Sequence, residues 1–182
     1  MKTKIFLIAI LLALGLGAAY YMLEDKTGLN NLLERAEQGD ALAQWQLANR
    51  YSLGLEGVSQ SDQEAFQWYR LAANQGLARA QLKLGLAYGQ GKGVLQDDQE
   101  SVRWYRLAAD QGNANAQYNL AIMYAKGQGV EKDYVRAYMW SYTSNSLGFE
   151  NAAKFVRSIG NAMTPAQIAE AQKLAQEWTA SH

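Results

Sequence analysis

The chain has 182 residues, 49% hydrophobic and 19% charged, with seventeen basic side chains balancing seventeen acidic ones. At roughly 150 residues per domain this length allows one ordinary domain or a short array of repeats, and the apolar content excludes intrinsic disorder. Zero net charge removes the electrostatic footprint of a nucleic-acid binder, the absence of cysteine removes disulfides and thiolate chemistry, and the single histidine, His182 at the chain end, leaves no basis for His-dependent catalysis or His-ligated metal.

Lys2 and Lys4 precede 19 uncharged residues, Ile5 to Leu23, which end at Glu24-Asp25. A cationic start followed by an apolar span reads as a targeting segment, and two leading outcomes stay open for residues 1–25 beside a third, a buried N-terminal helix in a cytosolic fold. Gly17-Ala18-Ala19 offers the small residues that a signal peptidase reads. Retained as a helix, the span reaches about 28 Å, close to the ~30 Å hydrocarbon core, with Tyr20-Tyr21 at the interfacial aromatic belt. In either case the lysines stay inside and everything after Glu24 is exported.

The rest of the chain repeats itself. Leu29 to Gly39 reads as half a unit, ending Ala36-Glu37-Gln38-Gly39. Trp68-Tyr69-Arg70-Leu71-Ala72-Ala73-Asn74-Gln75-Gly76 returns 36 residues later as Trp104-Tyr105-Arg106-Leu107-Ala108-Ala109-Asp110-Gln111-Gly112, and Trp140 and Gly148 continue the offset in a degraded copy. The other half of each unit agrees: Ala43-Gln44, Leu47 and Tyr51 become Ala80-Gln81, Leu84 and Tyr88, then Ala116-Gln117, Leu120 and Tyr124. One extra residue in the first unit falls in a loop between Tyr51 and Gly57. The units run over about 40–76, 77–112 and 113–148, with a degraded stretch at 149–160.

Each unit predicts two helices. Ala116, Leu120 and Tyr124 recur every fourth position and so share one helix face. Glycines at 91 and 93, and at 127 and 129, end the first helix by supplying backbone freedom for a tight connection. Ser61, Asp97 and Asp133 start the second helix as N-caps, and Glu64 and Glu100 three residues on predict capping boxes. Arg136 replaces that glutamate in the third copy, which predicts a less well capped helix there. Ala72-Ala73 and Ala108-Ala109 permit close helix approach, while Trp68, Trp104 and Trp140 fill the space between layers. A single hairpin cannot bury its own apolar face, so the units stack. A last helix over 164–180 opens on Thr164-Pro165-Ala166-Gln167 and carries an apolar stripe of Ile168, Ala171, Leu174, Ala175 and Trp178, suited to closing the open end of the stack.

The pattern Ala-x-Ala-Gln-x-x-Leu-Ala/Gly-x-x-Tyr, then Gly-x-Gly-Val, then Trp-Tyr-x-x-Ala-Ala-x-Gln-Gly resembles Sel1-like repeats, relatives of tetratricopeptide repeats. It is carried here by Ala41-Leu42-Ala43-Gln44, Gly91-Lys92-Gly93-Val94 and the segment from Trp104 to Gly112, among their copies. The resemblance implies an all-α, right-handed α-solenoid over 29–160 with a C-terminal capping helix, preceded by the hydrophobic targeting helix. It also implies a binding scaffold or adaptor of the bacterial envelope. A secreted branch of the family with proposed penicillin-binding or lactamase activity is bridged by repeated cysteine pairs, which this chain lacks.

Repeated residues are read first as structure. The glycine runs follow a helix rather than a strand and lack the Gly-Lys-Ser/Thr ending of a phosphate loop, Asp97-Asp98 and Glu100 are explained by capping, and Arg70 and Arg106 read as solvated helix faces. Function is sought where copies differ at equivalent positions. On the first helix of each unit these are Trp45, Leu82 and Tyr118, then Gln46, Lys83 and Asn119, then Asn49, Leu86 and Ile122. If this face is concave, the nine residues form a protein-binding groove of apolar contacts beside amide and ammonium donors, suited to a peptide strand or helix. The alternative is that part of the apolar row is core.

The expected function is therefore a non-enzymatic interaction scaffold without cofactor or metal. Its partner would be a segment of another envelope protein. The scaffold would be single-pass in the bacterial inner membrane with its repeats in the periplasm, or soluble there after cleavage. Two other readings are an envelope enzyme acting on peptidoglycan or a lactam, which no Ser-x-x-Lys element or histidine base supports, and a homo-oligomer joined through the ends of the stack.

Overall fold

The computed structural model describes residues 28–182, so the targeting segment expected over 1–25 lies outside the described residues. Among those residues the chain is all helix and turn. Residues 28–37 form α1, followed by α2 (Ala41–Leu53), α3 (Asp62–Asn74), α4 (Ala78–Gln90), α5 (Asp98–Asp110), α6 (Ala114–Lys126), α7 (Tyr134–Ser146), α8 (Glu150–Gly160) and α9 (Pro165–Ser181). Pairs α2/α3, α4/α5 and α6/α7 are antiparallel hairpins, each second helix packs on the next first helix, and α9 folds back onto α7. The result is an α-solenoid closed at its C-terminal end. No described helix is long and apolar enough to cross a membrane.

The six repeat helices are all 13 residues long because their boundaries are set by the same chemistry. Gly54, Gly91 and Gly127 end the first helices in the left-handed region at φ 65°, 67° and 69°, donating their amides to the carbonyls of Arg50, Ala87 and Met123. The side chains of Ser61, Asp97 and Asp133 accept from the amides three residues on, which starts the second helices.

The capping boxes expected at Glu64 and Glu100 do not form. The N-cap amides of Ser61, Asp97 and Asp133 instead donate to the carbonyls of Tyr51, Tyr88 and Tyr124 at 2.8, 3.0 and 3.0 Å, so no free amide is left for a glutamate to reach back to. For the same reason Arg136 does not weaken the start of α7. Asp133 accepts from the Arg136 amide at 2.9 Å, and its other oxygen lies 3.6 Å from the guanidinium. The complete capping box is at Thr164/Gln167 of α9.

The core follows the repeated positions. Leu47, Leu84 and Leu120 are fully buried, each worth about 2–3 kcal/mol relative to exposure. Ala72, Ala73, Ala108 and Ala109 are buried where helices cross; Trp104 and Trp140 are buried and Trp68 half-buried. Where α4 meets α5, a methyl on Gly85 would fall 2.5 Å from the Tyr105 ring, which is why α4 carries no side chain there.

A polar ladder ties one unit to the next. Gln44, Gln81 and Gln117 are buried and donate their Nε2 to the carbonyls of Ala36, Ala73 and Ala109 at 3.0, 3.3 and 3.2 Å, each near the end of the preceding second helix. The residue after each of the next two second helices completes the link: Gln75 Nε2 donates to Gln44 Oε1 at 2.8 Å and Gln111 Nε2 to Gln81 Oε1 at 2.7 Å. In the third unit the corresponding residue is Leu147, half exposed, and Gln117 Oε1 is left buried without a partner.

Candidate functional site

The first unit departs from the other two at the connection between its helices. Its loop, one residue longer, holds three left-handed residues where the others hold two: Gly54, Glu56 at φ 51° and Gly57 at φ 87°. Glu56 is the one described non-glycine residue in this region, at a cost of about 1–2 kcal/mol. An outlier of this kind points to a site. The Glu56 carboxylate forms an ion pair with Arg50, a residue whose register positions in the other units are Ala87 and Met123.

Around that pair lies a cleft of about 340 Å³ lined by Leu32 from α1, Trp45, Gln46, Asn49 and Arg50 from α2, and Leu55 and Glu56 from the loop. Three of the nine residues singled out by the repeat comparison thus meet there. Gln46 is exposed and Trp45 half-buried, with the Arg79 guanidinium 4.9 Å from the centre of its ring. Two buried donors of this wall, Trp45 Nε1 and Arg50 Nη1, have no hydrogen-bond partner. An unmet buried donor costs about 1–3 kcal/mol, so this part of the first unit is held at the expense of stability.

Asn49 serves the scaffold. Its Nδ2 donates to the Trp45 carbonyl at 3.0 Å and its Oδ1 accepts from the Tyr69 hydroxyl at 2.7 Å. Burial pushes the Tyr69 phenol up to about 12, against the opposing hydrogen bond with Ser52, so it remains a donor at neutral pH. Tyr69 also lines a smaller cleft of about 120 Å³, whose lining includes two more of the nine residues, Lys83 and Leu86, together with Asp62 and Lys92. The hydrogen bond from Tyr69 to Asn49 thus joins the walls of the two clefts.

The remaining residues of the comparison are engaged in packing. Leu82, like Leu86, packs half-buried against the C-terminal hydrophobic cluster. Tyr118 meets Phe149 at 5.1 Å and Phe155 at 5.6 Å between ring centres, under α8. Asn119 and Ile122 are half-buried on the same helix. The structure therefore gathers the candidate surface at the first two units. Sequence reasoning missed Leu32, Arg50, Leu55 and Glu56; the available signal was the one-residue insertion, which marks the cleft's wall.

The chain matches the Sel1 repeat model three times, over residues 41–77, 78–113 and 114–149. A Sel1 repeat protein of Oxalobacter formigenes is 43% identical, superposes with a TM-score of 0.66, and shares 72% of this chain and 98% of its own. A protective antigen of uropathogenic Escherichia coli displaying an SLR fold is 31% identical at TM-score 0.65, over 81% of this chain and 39% of its own. Cysteine-rich protein B of Helicobacter pylori, 21% identical at TM-score 0.56 over 74% and 96% of the two chains, is similar in fold alone. The chitin synthase regulator SKT5 of Saccharomyces cerevisiae is 46% identical over 61 residues, a match that takes in 33% of this chain and only 9% of the regulator's length. Proteins of this kind are generally non-enzymatic scaffolds for protein interaction. With repeats filling more than half its length and a stacked-hairpin architecture to match, the chain belongs to the Sel1 repeat family.

Proposed function

We propose that this protein is an interaction scaffold that holds a segment of another protein against its first helices, in the cleft walled by Trp45, Gln46, Arg50, Leu55 and Glu56. The observation that carries this reading is the convergence in one cleft of Trp45 with the left-handed Glu56 and its partner Arg50, an ion pair that the other units do not repeat. The apolar contacts of Leu32, Trp45 and Leu55 suit a hydrophobic side chain of the partner, and the amide of Gln46 suits its backbone. Because the cleft is preformed, ordering costs fall mainly on the partner.

A photo-crosslinking residue at position 46, in intact cells, is expected to trap a discrete partner identifiable by mass spectrometry. Leu55→Asp should reduce that adduct by about 10-fold or more, whereas Leu53→Asp, at the last residue of α2, outside the cleft and also exposed, should leave it intact. No adduct, or an adduct indifferent to Leu55→Asp, refutes the cleft assignment.

The proposal includes location. Lys2, Lys4 and the apolar span from Ile5 to Leu23 support export with the repeats on the periplasmic side of a bacterial inner membrane, either anchored or released by cleavage after the small residues Gly17-Ala18-Ala19. Fractionation combined with N-terminal sequencing is expected to find the chain in the membrane starting near residue 1, or in the periplasm starting after residue 19. A cytosolic chain with an intact N-terminus rules the location out.

A further inference from the structure

At the other end of the array a second cleft, of about 360 Å³, is lined by Arg106 from α5, Tyr124 from α6, Arg136, Met139 and Trp140 from α7, and Leu174 from α9. It shares no residue with the cleft at the first unit. Two guanidinium groups stand over an apolar floor, and no carboxylate lines the site. Arg106 donates Nη2 to the Tyr124 hydroxyl at 2.6 Å and makes no ion pair among the described residues. Of the five donors a guanidinium carries, the others remain for a ligand. Arg136 lies over the same tyrosine, its Cζ 5.7 Å from the ring centre, with Asp133 beside it at 3.6 Å and outside the cleft lining. Tyr124 is thus a shared support that holds both cations at one opening.

Comparison along the repeat shows what is special about this cleft. In the second unit the register positions of Arg136 and Met139 are Glu100 and Arg103, which form an ion pair with each other at 3.1 Å. In the third unit that self-neutralising pair is replaced by a cation and an apolar side chain. Leu174 comes from the capping helix, which earlier units lack. The charge change does nothing for helix capping, since Asp133 caps α7 as Asp97 caps α5. We infer that this cleft is a second docking site, which takes an acidic segment of a partner protein in which a carboxylate side chain neighbours an apolar one. The carboxylate would bridge Arg106 and Arg136, whose planar forks suit two-oxygen acceptors, while the neighbouring side chain covers Met139, Trp140 and Leu174.

The test uses the full-length chain and three acetylated, amidated peptides: one with Leu-Glu-Leu at its centre, one with Leu-Gln-Leu, and one with Ala-Glu-Ala. Nuclear magnetic resonance is expected to show the first peptide shifting the Nε–Hε signals of Arg106 and Arg136 and the Trp140 indole, with affinity falling as salt is raised. The glutamine and alanine peptides should each bind about 10-fold more weakly or worse. Arg136→Glu, which leaves the Asp133 cap in place, should also weaken binding about 10-fold or more, while Arg70→Gln, one unit earlier, should not change it. Equal binding of the glutamate and glutamine peptides, unchanged binding by a folded Arg136→Glu protein, or shifts at neither arginine would overturn the inference, and inorganic phosphate shifting the same signals as strongly as the peptide would reduce the site to a general anion trap. A partner trapped at position 46 bears on the first cleft alone, so the two readings stand or fall separately.

Discussion

Gly129→Ala is expected to destabilise the protein by about 4 kcal/mol, of which ~1–2 comes from holding a β-carbon in the left-handed region and ~2–3 from overpacking. Gly129 has φ 63°, and a methyl there would lie 2.1 Å from the carbonyl oxygen of Asp98, the first residue of α5. That neighbour is main chain at the start of a capped helix and cannot swing aside. Gly93 stands in the same relation to Asp62, again at 2.1 Å, so the loop of each later unit rests directly on the helix start of the unit before. Gly112→Ala is the control: φ is 78° but nothing lies within 4 Å of the added methyl, so only the conformational cost of about 1–2 kcal/mol applies. Urea midpoints and melting temperatures measure the difference; at ~2–4 °C per kcal/mol, Gly129→Ala should melt roughly 8–16 °C below wild type. Equal losses at 129 and 112 would show that the loop-to-helix contact is not what fixes neighbouring units. A stack whose stability is a sum over units and interfaces should also lose cooperativity when one interface opens, seen as a broader transition.

The architecture was legible in the sequence because every unit solves the same packing problem with the same residues. Leu47, Leu84 and Leu120 recur in register and are all fully buried; the glycines that end the first helices do so with nearly identical dihedral angles. Periodicity reports shared constraints, and the glycine pairs 91/93 and 127/129 illustrate its limit. The spacing shows that a turn is needed, but only the three-dimensional stack shows that the second glycine of each pair also makes room for another unit's backbone. Capping was misread for a related reason. Ser61-x-x-Glu64 has the spacing of a capping box, yet the Ser61 amide is claimed by Tyr51 across the hairpin, a competitor invisible to a four-residue pattern. The candidate site was half visible. Trp45, Gln46 and Asn49 stood out because their register partners differ, whereas Arg50 and Glu56 act through a pairing that depends on the inserted residue. Tyr118 differed from its register partners too, but α8 covers it, and the length and placement of that final first-type helix were not readable from the degraded repeat.

Leu147→Gln should raise stability by about 1 kcal/mol and the melting temperature by ~2–4 °C, while Gln81→Leu should lower stability by about 2–3 kcal/mol. Both follow from the glutamine ladder. Gln81 donates to the buried Ala73 carbonyl and accepts from Gln111, so a leucine there fills much of the space but strands the carbonyl between units. The Gln111 amide loses less, because it is exposed and turns to water. In the third unit the ladder is one rung short: Gln117 donates to Ala109, its Oε1 is buried without a partner, and the residue in register with Gln75 and Gln111 is the half-exposed Leu147. A glutamine at 147 would follow α7 as Gln75 follows α3 and Gln111 follows α5, placing its Nε2 where the two existing links have theirs, at 2.8 and 2.7 Å. The gain is the cost of an unmet buried acceptor less the entropy of ordering one side chain. The double variant Leu147→Gln/Gln117→Leu separates this explanation from the mere removal of an exposed leucine. If the added glutamine works through Gln117 Oε1, its benefit disappears once Gln117 is leucine, and the interaction energy between the two changes is about 1 kcal/mol. Additive effects in that cycle would mean that the ladder does not couple the units, and that the exposed leucine alone accounts for the gain.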